Sequence, residues 1–285
     1  MNNRRVDLAV NPDWLRDLHA RASQPPLRPR QPLWAGQSVV GSVETDFFSR
    51  IDLQPNKYVR NQLLKEERHG VVGWAIQGNV TALLNHLATV MRDAGLAGAW
   101  RDEQLAVCDE AGQRVGTIER AAVRPLGITT HAVHLAAQTA DGRHWVQQRA
   151  LDKSVDPGLW DTLMGGMISA ADTVETALQR ETWEEAGLQI DDLKNLRFCG
   201  RETNCRPSGD GAAGYLREFI DWYVCTVPDD LVPINLDGEV AQFVLMDRSQ
   251  LLVAMQRGEF TLEAAFITAS LLGLVGDYSI SSLPS

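Results

Sequence analysis

One stretch, Asp172 to Gly187, constrains the fold more than any other part of the chain. Asp172 with Glu175 three residues later has the form of a capping box, with Asp as the N-cap, and Gly187 is a stop signal. The spacing therefore predicts a helix from Asp172 to Ala186. At about 100° per residue, with Glu181 set to zero, Glu184 falls at about −60° and Glu185 at about +40°. On the same wheel Val174, Ala177 and Leu178 fall at about +20°, −40° and +60°. The three carboxylates share the apolar arc and are displaced only along the axis, toward its C-terminal end. A solvated charge run belongs on the opposite face, and acids at this end oppose the helix macrodipole. Like charges at the edge of a core repel unless a cation neutralises them. Magnesium suits them because it takes oxygen ligands and bridges to substrate phosphates; manganese is the alternative.

The rest of the chain is compatible with an enzyme built around such a helix. Its 285 residues suggest one large domain or two ordinary ones. With 44% hydrophobic and 22% charged residues it can bury a core, which excludes a disordered or fibrous chain. The net charge of −10 lacks the basic footprint of a nucleic-acid-coating protein. No apolar run is long enough for a membrane span, and the first residues, Met1 to Pro12, hold no apolar signal core. Cys108, Cys199, Cys205 and Cys225 show no C-x-x-C spacing and read as reduced thiols. The expectation is a cytoplasmic protein without nucleic-acid or membrane partners.

Along the chain, Pro12 to Ala22 is a short helix candidate, and Gln24 to Pro32 is a stiff proline-rich connector. Gly36 to Glu44 and Gly112 to Glu119 form a weak repeat, each a turn feeding a strand. Between them Asn79 to Gly95 is an amphipathic helix with Leu83, Leu84, Leu87, Val90 and Met91 as its stripe. From about residue 125 the texture changes. Strands are expected at 131–137, 145–149, 196–201, 216–227 and 240–246, with Asp141-Gly142 as a hairpin turn. A last helix starts near Thr261. This pattern predicts a smaller α+β domain over 1–124 and an α/β domain over 125–285.

Gly166, five residues, Asp172, seven residues, then Arg180-Glu181-Thr182-Trp183-Glu184-Glu185-Ala186-Gly187-Leu188 resembles the Nudix box. Two positions depart from that pattern: Asp172 replaces Glu, and Thr182 stands where an apolar residue is usual. Neither removes a proposed ligand. The resemblance implies a Nudix α/β/α sandwich with a mixed sheet, hydrolysing a diphosphate linked to another moiety. It implies that Glu181, Glu184 and Glu185 hold magnesium, and that Arg180 orients them through an ion pair, with Asp172 as the candidate partner. Gly165 and Gly166 would allow close backbone approach to substrate. Family members often use a further acid on a loop outside the box, and Glu239 matches that context as base or extra ligand.

A wider set of motifs precedes the box: Glu119-Arg120-Ala121-Ala122, His131-Ala132-Val133-His134-Leu135, Trp145-Val146-Gln147-Gln148-Arg149 and Pro157-Gly158-Leu159-Trp160-Asp161. With the N-terminal region, these resemble Nudix proteins carrying an N-terminal extension that in fungi is joined to thiamin pyrophosphokinase. That resemblance implies thiamin diphosphate or its oxidised analogues as substrate. The N-terminal region would shape or cover the site, or support a homodimer.

Trp160 is a candidate for stacking on a flat substrate ring, with core packing as the alternative. Arg206, beside the glycine-rich run Gly209 to Gly214, is a candidate substrate contact. That run matches G-x-G-x-x-G but precedes a strand, so it reads as a loop and not as a dinucleotide site. His131 and His134, three apart in a strand, point to opposite faces and do not chelate together. Lys153, Arg149 and Arg201 are phosphate contacts or solvated cations. The competing functions are a Nudix-fold sensor without turnover, a hydrolase of nucleoside diphosphate derivatives, and a diphosphate isomerase. The last calls for a cysteine facing a glutamate across an apolar pocket.

Overall fold

The computed structural model describes residues 12–53, 56–208 and 214–275. The elements are α1 (Pro12–Ala22), β1 (Arg30–Ala35), β2 (Ser38–Glu44), α2 (Lys57–Gln62), β3 (Leu63–Arg68), β4 (Val71–Ile76), α3 (Val80–Asp93), β5 (Gln104–Cys108) and β6 (Arg114–Glu119). They continue with β7 (Thr130–Gln138), β8 (His144–Arg149), β9 (Trp160–Asp161), β10 (Met164–Met167), α4 (Val174–Ala186), β11 (Lys194–Pro207), β12 (Tyr215–Thr226), β13 (Val240–Met246), α5 (Arg248–Gln256) and α6 (Leu262–Leu271).

The larger sheet runs β11-β12-β7-β8-β13, with β10 paired to β7 and β9 to β8. The β12–β7 pairing is parallel and the others are antiparallel, so the sheet is mixed. Alternation of side chains divides its two faces. Val133, Leu135, Ala137 and Cys225 pack against Ala177, Leu178 and Ala186 of α4. On the other face Ala132, Ala136, Ile220 and Trp222 meet Ile267 of α6, and Val146 meets α5 and α6. The result is a helix–sheet–helix sandwich.

The preceding residues build their own α+β layer: a four-stranded sheet, β2-β1-β4-β3, and the β5–β6 ribbon. Helix α3 packs beneath them, capped by the Asn79 side chain, which accepts from the Ala82 amide (2.8 Å). Its core runs from Leu33 to Ile128. The two halves of the weak repeat, β2 and β6, lie in different sheets.

Several elements differ from the expectations. The proline-rich connector ends early, because its last three residues open β1. Strand β11 is longer than 196–201, since its whole length pairs with β12. Helix α5 lacks a clear apolar period and was not anticipated. Helix α1 packs on the C-terminal core, where Leu18 and Ala22 join α5 and α6 and the Trp14 indole donates to the Met255 carbonyl (3.2 Å). Residues 209–213 of the glycine-rich run lie outside the described residues; its flanks are the antiparallel strands β11 and β12. The four cysteines are unpaired. Among the described residues no helix is long and apolar enough to cross a membrane.

Candidate active site

The cap of helix α4 lies one residue later than the spacing suggests. The N-cap is Thr173, whose hydroxyl accepts from the Thr176 amide (3.2 Å), while the Thr173 amide donates to the Thr176 hydroxyl (2.7 Å). Asp172 is therefore not the cap, and Glu175 takes no part in the box. Asp172 instead accepts from Arg180 Nε (3.0 Å) and Nη2 (2.8 Å). The box was misplaced because Asp and Thr are both good caps, and the nearby guanidinium claims the carboxylate. Thr182 is fully buried, and its hydroxyl donates to the Leu178 carbonyl (2.6 Å), so a polar group is satisfied inside the core.

At the other end Gly187 adopts a left-handed conformation (φ 63°). A Cβ there would stand 2.8 Å from the Ile234 carbonyl oxygen, too close for any other residue. The Ile234 and Leu236 amides donate to the last helical carbonyls, Ala186 (2.8 Å) and Glu184 (3.2 Å). The loop that satisfies the helix end thus carries straight on to Asp237 and Glu239. Ligand atoms of Glu185, Asp237 and Glu239 lie within 4.8 Å of one another.

The three box carboxylates sit in different surroundings. Glu185 is 3% exposed, and one of its oxygens accepts from Gln147 Nε2 (3.0 Å) and the Gly165 amide (3.1 Å). Burial pushes its carboxyl up to about 8 despite those bonds, with Glu181 and Asp161 adding to the rise. Glu181 is pushed up to about 7, again chiefly by burial, with Arg180 opposing. Glu184, with 44% of its side chain exposed, meets Arg180 Nη1 at 2.9 Å. The same nitrogen lies 2.9 Å from Glu181, so Arg180 braces Asp172, Glu181 and Glu184 together. Burial disfavours the guanidinium charge, but the Asp172 bond and the neighbouring glutamates hold its pKa above the ordinary value.

The glycines before the helix are sterically required. A Cβ on Gly166 would overlap the Glu181 carboxyl group, and one on Gly165 would enter the His134 ring. His134 is buried in β7, with Nδ1 3.0 Å from the Thr162 hydroxyl. That hydroxyl already donates to the Met164 carbonyl (2.8 Å), so it accepts from His134. His131 has its own environment, against the Phe219 ring (5.5 Å between centroids).

These groups open onto a cavity of about 360 Å³. Glu181, Glu184, Glu185, Arg180, Gly165, Gly166, Glu239 and Arg206 all line it. Trp160 does not: it packs against the α5–α6 core, while its neighbour Asp161 reaches the cavity. Lys153 and Arg149 line it as well, paired respectively with Glu239 and with Asp161 (3.5 Å), whereas Arg201 pairs with Asp221 (2.6 Å) and is not among the lining residues. Lys153 and its hydrogen bond hold Glu239 below the ordinary carboxylate range, overcoming burial. On the β11–β12 side, Glu218 accepts from the Thr130 hydroxyl (2.8 Å), and Glu263 pairs with Arg206 (3.1 Å). Burial and the nearby Glu263 push Glu218 up, whereas Arg206 holds Glu263 down against its burial. Glu218, Glu263, Asp156 and the arginines Arg101, Arg120 and Arg124 belong to the lining but carry no box signature, so only the fold brings them together.

Residues 129–266 match the family model described as the NUDIX domain. Nudix hydrolase 20, chloroplastic, of Arabidopsis thaliana is 30% identical over 155 residues, covering 50% of this chain and 38% of that protein. An uncharacterized protein of Saccharomyces cerevisiae is 26% identical over 207 residues, covering 67% and 60%. An isopentenyl-diphosphate Delta-isomerase of Kocuria rhizophila is 27% identical over 159 residues, covering 55% and 85%. The chain thus spans less than two thirds of the first two relatives. The family match thus spans the sandwich that carries α4 and its box, and this stretch of the chain is similar to the NUDIX domain.

Proposed function

We propose that the protein is a magnesium-dependent hydrolase of a diphosphate linked to another moiety, releasing a monophosphate. The observation that carries this reading is the convergence of Glu181, Glu184, Glu185 and Glu239 on one cavity beside Gly165 and Gly166 of β10. The donor set fits a hard divalent cation: every group is a carboxylate, and two are pushed up to about 7 and about 8, chiefly by burial and further by neighbouring acids. Glu181, Glu184 and Glu185 would hold the ion, with Asp237 and Glu239 within reach of Glu185. When bound, magnesium acidifies water and offsets charge developing on the diphosphate.

The chain's own groups supply the rest. Arg180 keeps the carboxylates oriented by donating to Asp172 and Glu184. Gln147 and the Gly165 amide fix the Glu185 oxygen. Glu239, ionised beside Lys153, accepts the proton of the attacking water. The water oxygen bonds to phosphorus, the bridging P–O bond breaks, and its electron pair leaves with the departing phosphate. The products are a monophosphate with either a second monophosphate or free phosphate.

Our more specific proposal is thiamin diphosphate or its oxidised analogues. The wider motif resemblance supports it, as does the cavity wall at β12 and α6. There burial pushes the Glu218 carboxyl up and Arg206 holds Glu263 down, and both carboxyl groups offer oxygens that can accept from the exocyclic amine of an aminopyrimidine. Isomerisation is not favoured, because none of the four cysteines lines the cavity.

The test is a mass-spectrometric product survey with magnesium over thiamin diphosphate, its oxo and oxy analogues, nucleoside diphosphates, ADP-ribose and dinucleotides. Conversion of the thiamin compounds to monophosphates is expected. Cleavage of another compound overturns the thiamin assignment, binding without product points to a sensor, and an isomer of unchanged phosphate count overturns hydrolysis.

A further inference from the structure

We infer that Arg101 and Arg120, from the region before residues 129–266, form an anion subsite that grips a phosphate of the substrate opposite the α4 carboxylates. The inference rests on the hydrolase reading and assigns part of that active site to the N-terminal layer.

Both arginines line the same cavity as Glu181 and Glu185. Arg120 pairs with Glu103 (2.7 Å), whereas Arg101 has no carboxylate partner for its side chain among the described residues. It is a guanidinium placed in a cavity whose other arginines at the box, Arg149 and Arg206 included, are engaged by acids. The lining of that cavity places Glu103, Arg101 and Arg120 together with Glu181 and Glu239. The three N-terminal side chains therefore sit over the two acidic elements of the site.

Their backbone is built to hold them there. Glu119 is 1% exposed, and its Oε1 accepts from the amides of Arg101 (3.0 Å) and Ala121 (3.3 Å). The Arg120 amide donates to the Glu103 carbonyl (2.8 Å), and the Gly98 amide to the Ala121 carbonyl (2.8 Å). One buried carboxylate thus clips the two arginine-bearing segments side by side. Asp102 adopts a left-handed conformation (φ 55°) beside Arg101, and accepts from the Trp100 indole (2.7 Å). Asp is among the few non-glycine residues that adopt this region readily, so it can turn the chain directly after Arg101. The ribbon is also tied to the approach to α4, since the Ala170 amide donates to the Gln104 carbonyl (2.7 Å) and Arg114 donates to the Ala170 carbonyl (2.7 Å).

The chemistry that fits is a phosphate. A guanidinium presents a planar fork matched to two phosphate oxygens, and keeps its charge at any working pH. A diphosphate holds more negative charge than one divalent ion neutralises, and the cavity's remaining carboxylates make that excess worse. Arg101, whose side chain has no carboxylate within ion-pair distance among the described residues, supplies the balance. Arg120 would exchange or share Glu103 for the same phosphate.

The test uses the full chain and magnesium imidodiphosphate, which hydrolysis does not consume, followed by calorimetry. Arg101→Ala is expected to weaken binding about tenfold or more, and Arg101→Ala with Arg120→Ala about a hundredfold, on the scale of lost charge-assisted hydrogen bonds. Arg101→Lys should restore part of the loss, and magnesium binding without the diphosphate should be unchanged. The surface variant Arg257→Ala serves as the control. Equal binding by wild type and both alanine variants overturns the subsite alone. Failure of the wild type to bind imidodiphosphate or to turn over any diphosphate overturns the hydrolase reading, and the subsite with it. Loss of magnesium binding in the arginine variants would show a structural role and overturn the subsite as well.

Discussion

Helices α3 and α4 are of similar length and both are amphipathic, yet they bury different things. Helix α3 buries Leu83, Leu84, Leu87, Ala88 and Met91, all fully. Helix α4 buries Ala177, Leu178 and Ala186 in the same manner, but adds Thr182 and Glu185. The first stripe is entirely apolar and contributes packing. The second gives up part of its arc to carboxylates whose burial is unfavourable unless something compensates. Bonds from Gln147 and Gly165 soften that cost without removing it, because Glu185 is still pushed up to about 8. A helix that gives up hydrophobic area for acids, at the end where its dipole also disfavours them, marks a functional site. A helix without that sacrifice marks a scaffold.

Changes in the two helices should separate activity from stability. The largest effect is expected for Glu185→Gln. It keeps the side chain's shape and removes the charge, so turnover should fall by about a thousandfold or more, equivalent to about 4 kcal/mol of lost transition-state stabilisation. The variant's metal-free stability should not fall. Product formation by mass spectrometry, with a thermal melt alongside, checks both halves, and near-normal turnover would break the contrast. Next is Gly166→Ala, whose new Cβ would displace the Glu181 carboxyl. Metal affinity measured by calorimetry should drop about 10- to 100-fold, as for other disturbances of ligand orientation.

Leu87→Ala in α3 should do the opposite. Urea unfolding should show a loss of about 2–5 kcal/mol, the range for a fully buried leucine, with kcat per folded molecule retained. A matching loss of kcat would mean that α3 is more than scaffold. The smallest change is Thr173→Ala. It removes the α4 cap and should cost about 1 kcal/mol with little effect on activity. A similar variant at Asp172 should instead lower metal affinity, because that carboxylate braces Arg180 rather than the helix end.

The same contrast explains which features could be read from the chain. Helix α3 and the β7–β8 hairpin follow from local period and turn residues, and so does the placement of carboxylates on the apolar arc of α4. Four features depend on contacts that no local pattern announces. Strand β1 pairs in parallel with β4, Leu33 opposite Trp74, and no local pattern announces a partner some forty residues away. The cap of α4 was misplaced by one residue, because Arg180, eight residues on, decides whether Asp172 is free to cap. Trp160 had a flat face suited to stacking, but its neighbours in space are α5 and α6, so it went to the core. Arg101 lay in no motif, and Arg120, within Glu119-Arg120-Ala121-Ala122, carried no sign of a role at the site. Their place over the cavity follows from the docking of the β5–β6 ribbon against the segment before α4.

The central claim is that the acids on the apolar arc of α4 are tolerated because a cation completes them. Its most direct test is unfolding stability against pH, with and without magnesium, for the wild type and Glu185→Gln. In the unfolded chain these glutamates titrate near the ordinary carboxyl value, whereas the folded metal-free protein raises Glu181 to about 7 and Glu185 to about 8. Between those limits the folded state binds more protons, so their contribution is fully present at low pH and is lost as pH rises through about 8. The account expects metal-free wild type to lose stability over that window more steeply than Glu185→Gln, and magnesium to flatten the wild-type slope. Equal slopes for the two proteins, or a wild-type slope that magnesium leaves unchanged, would contradict it.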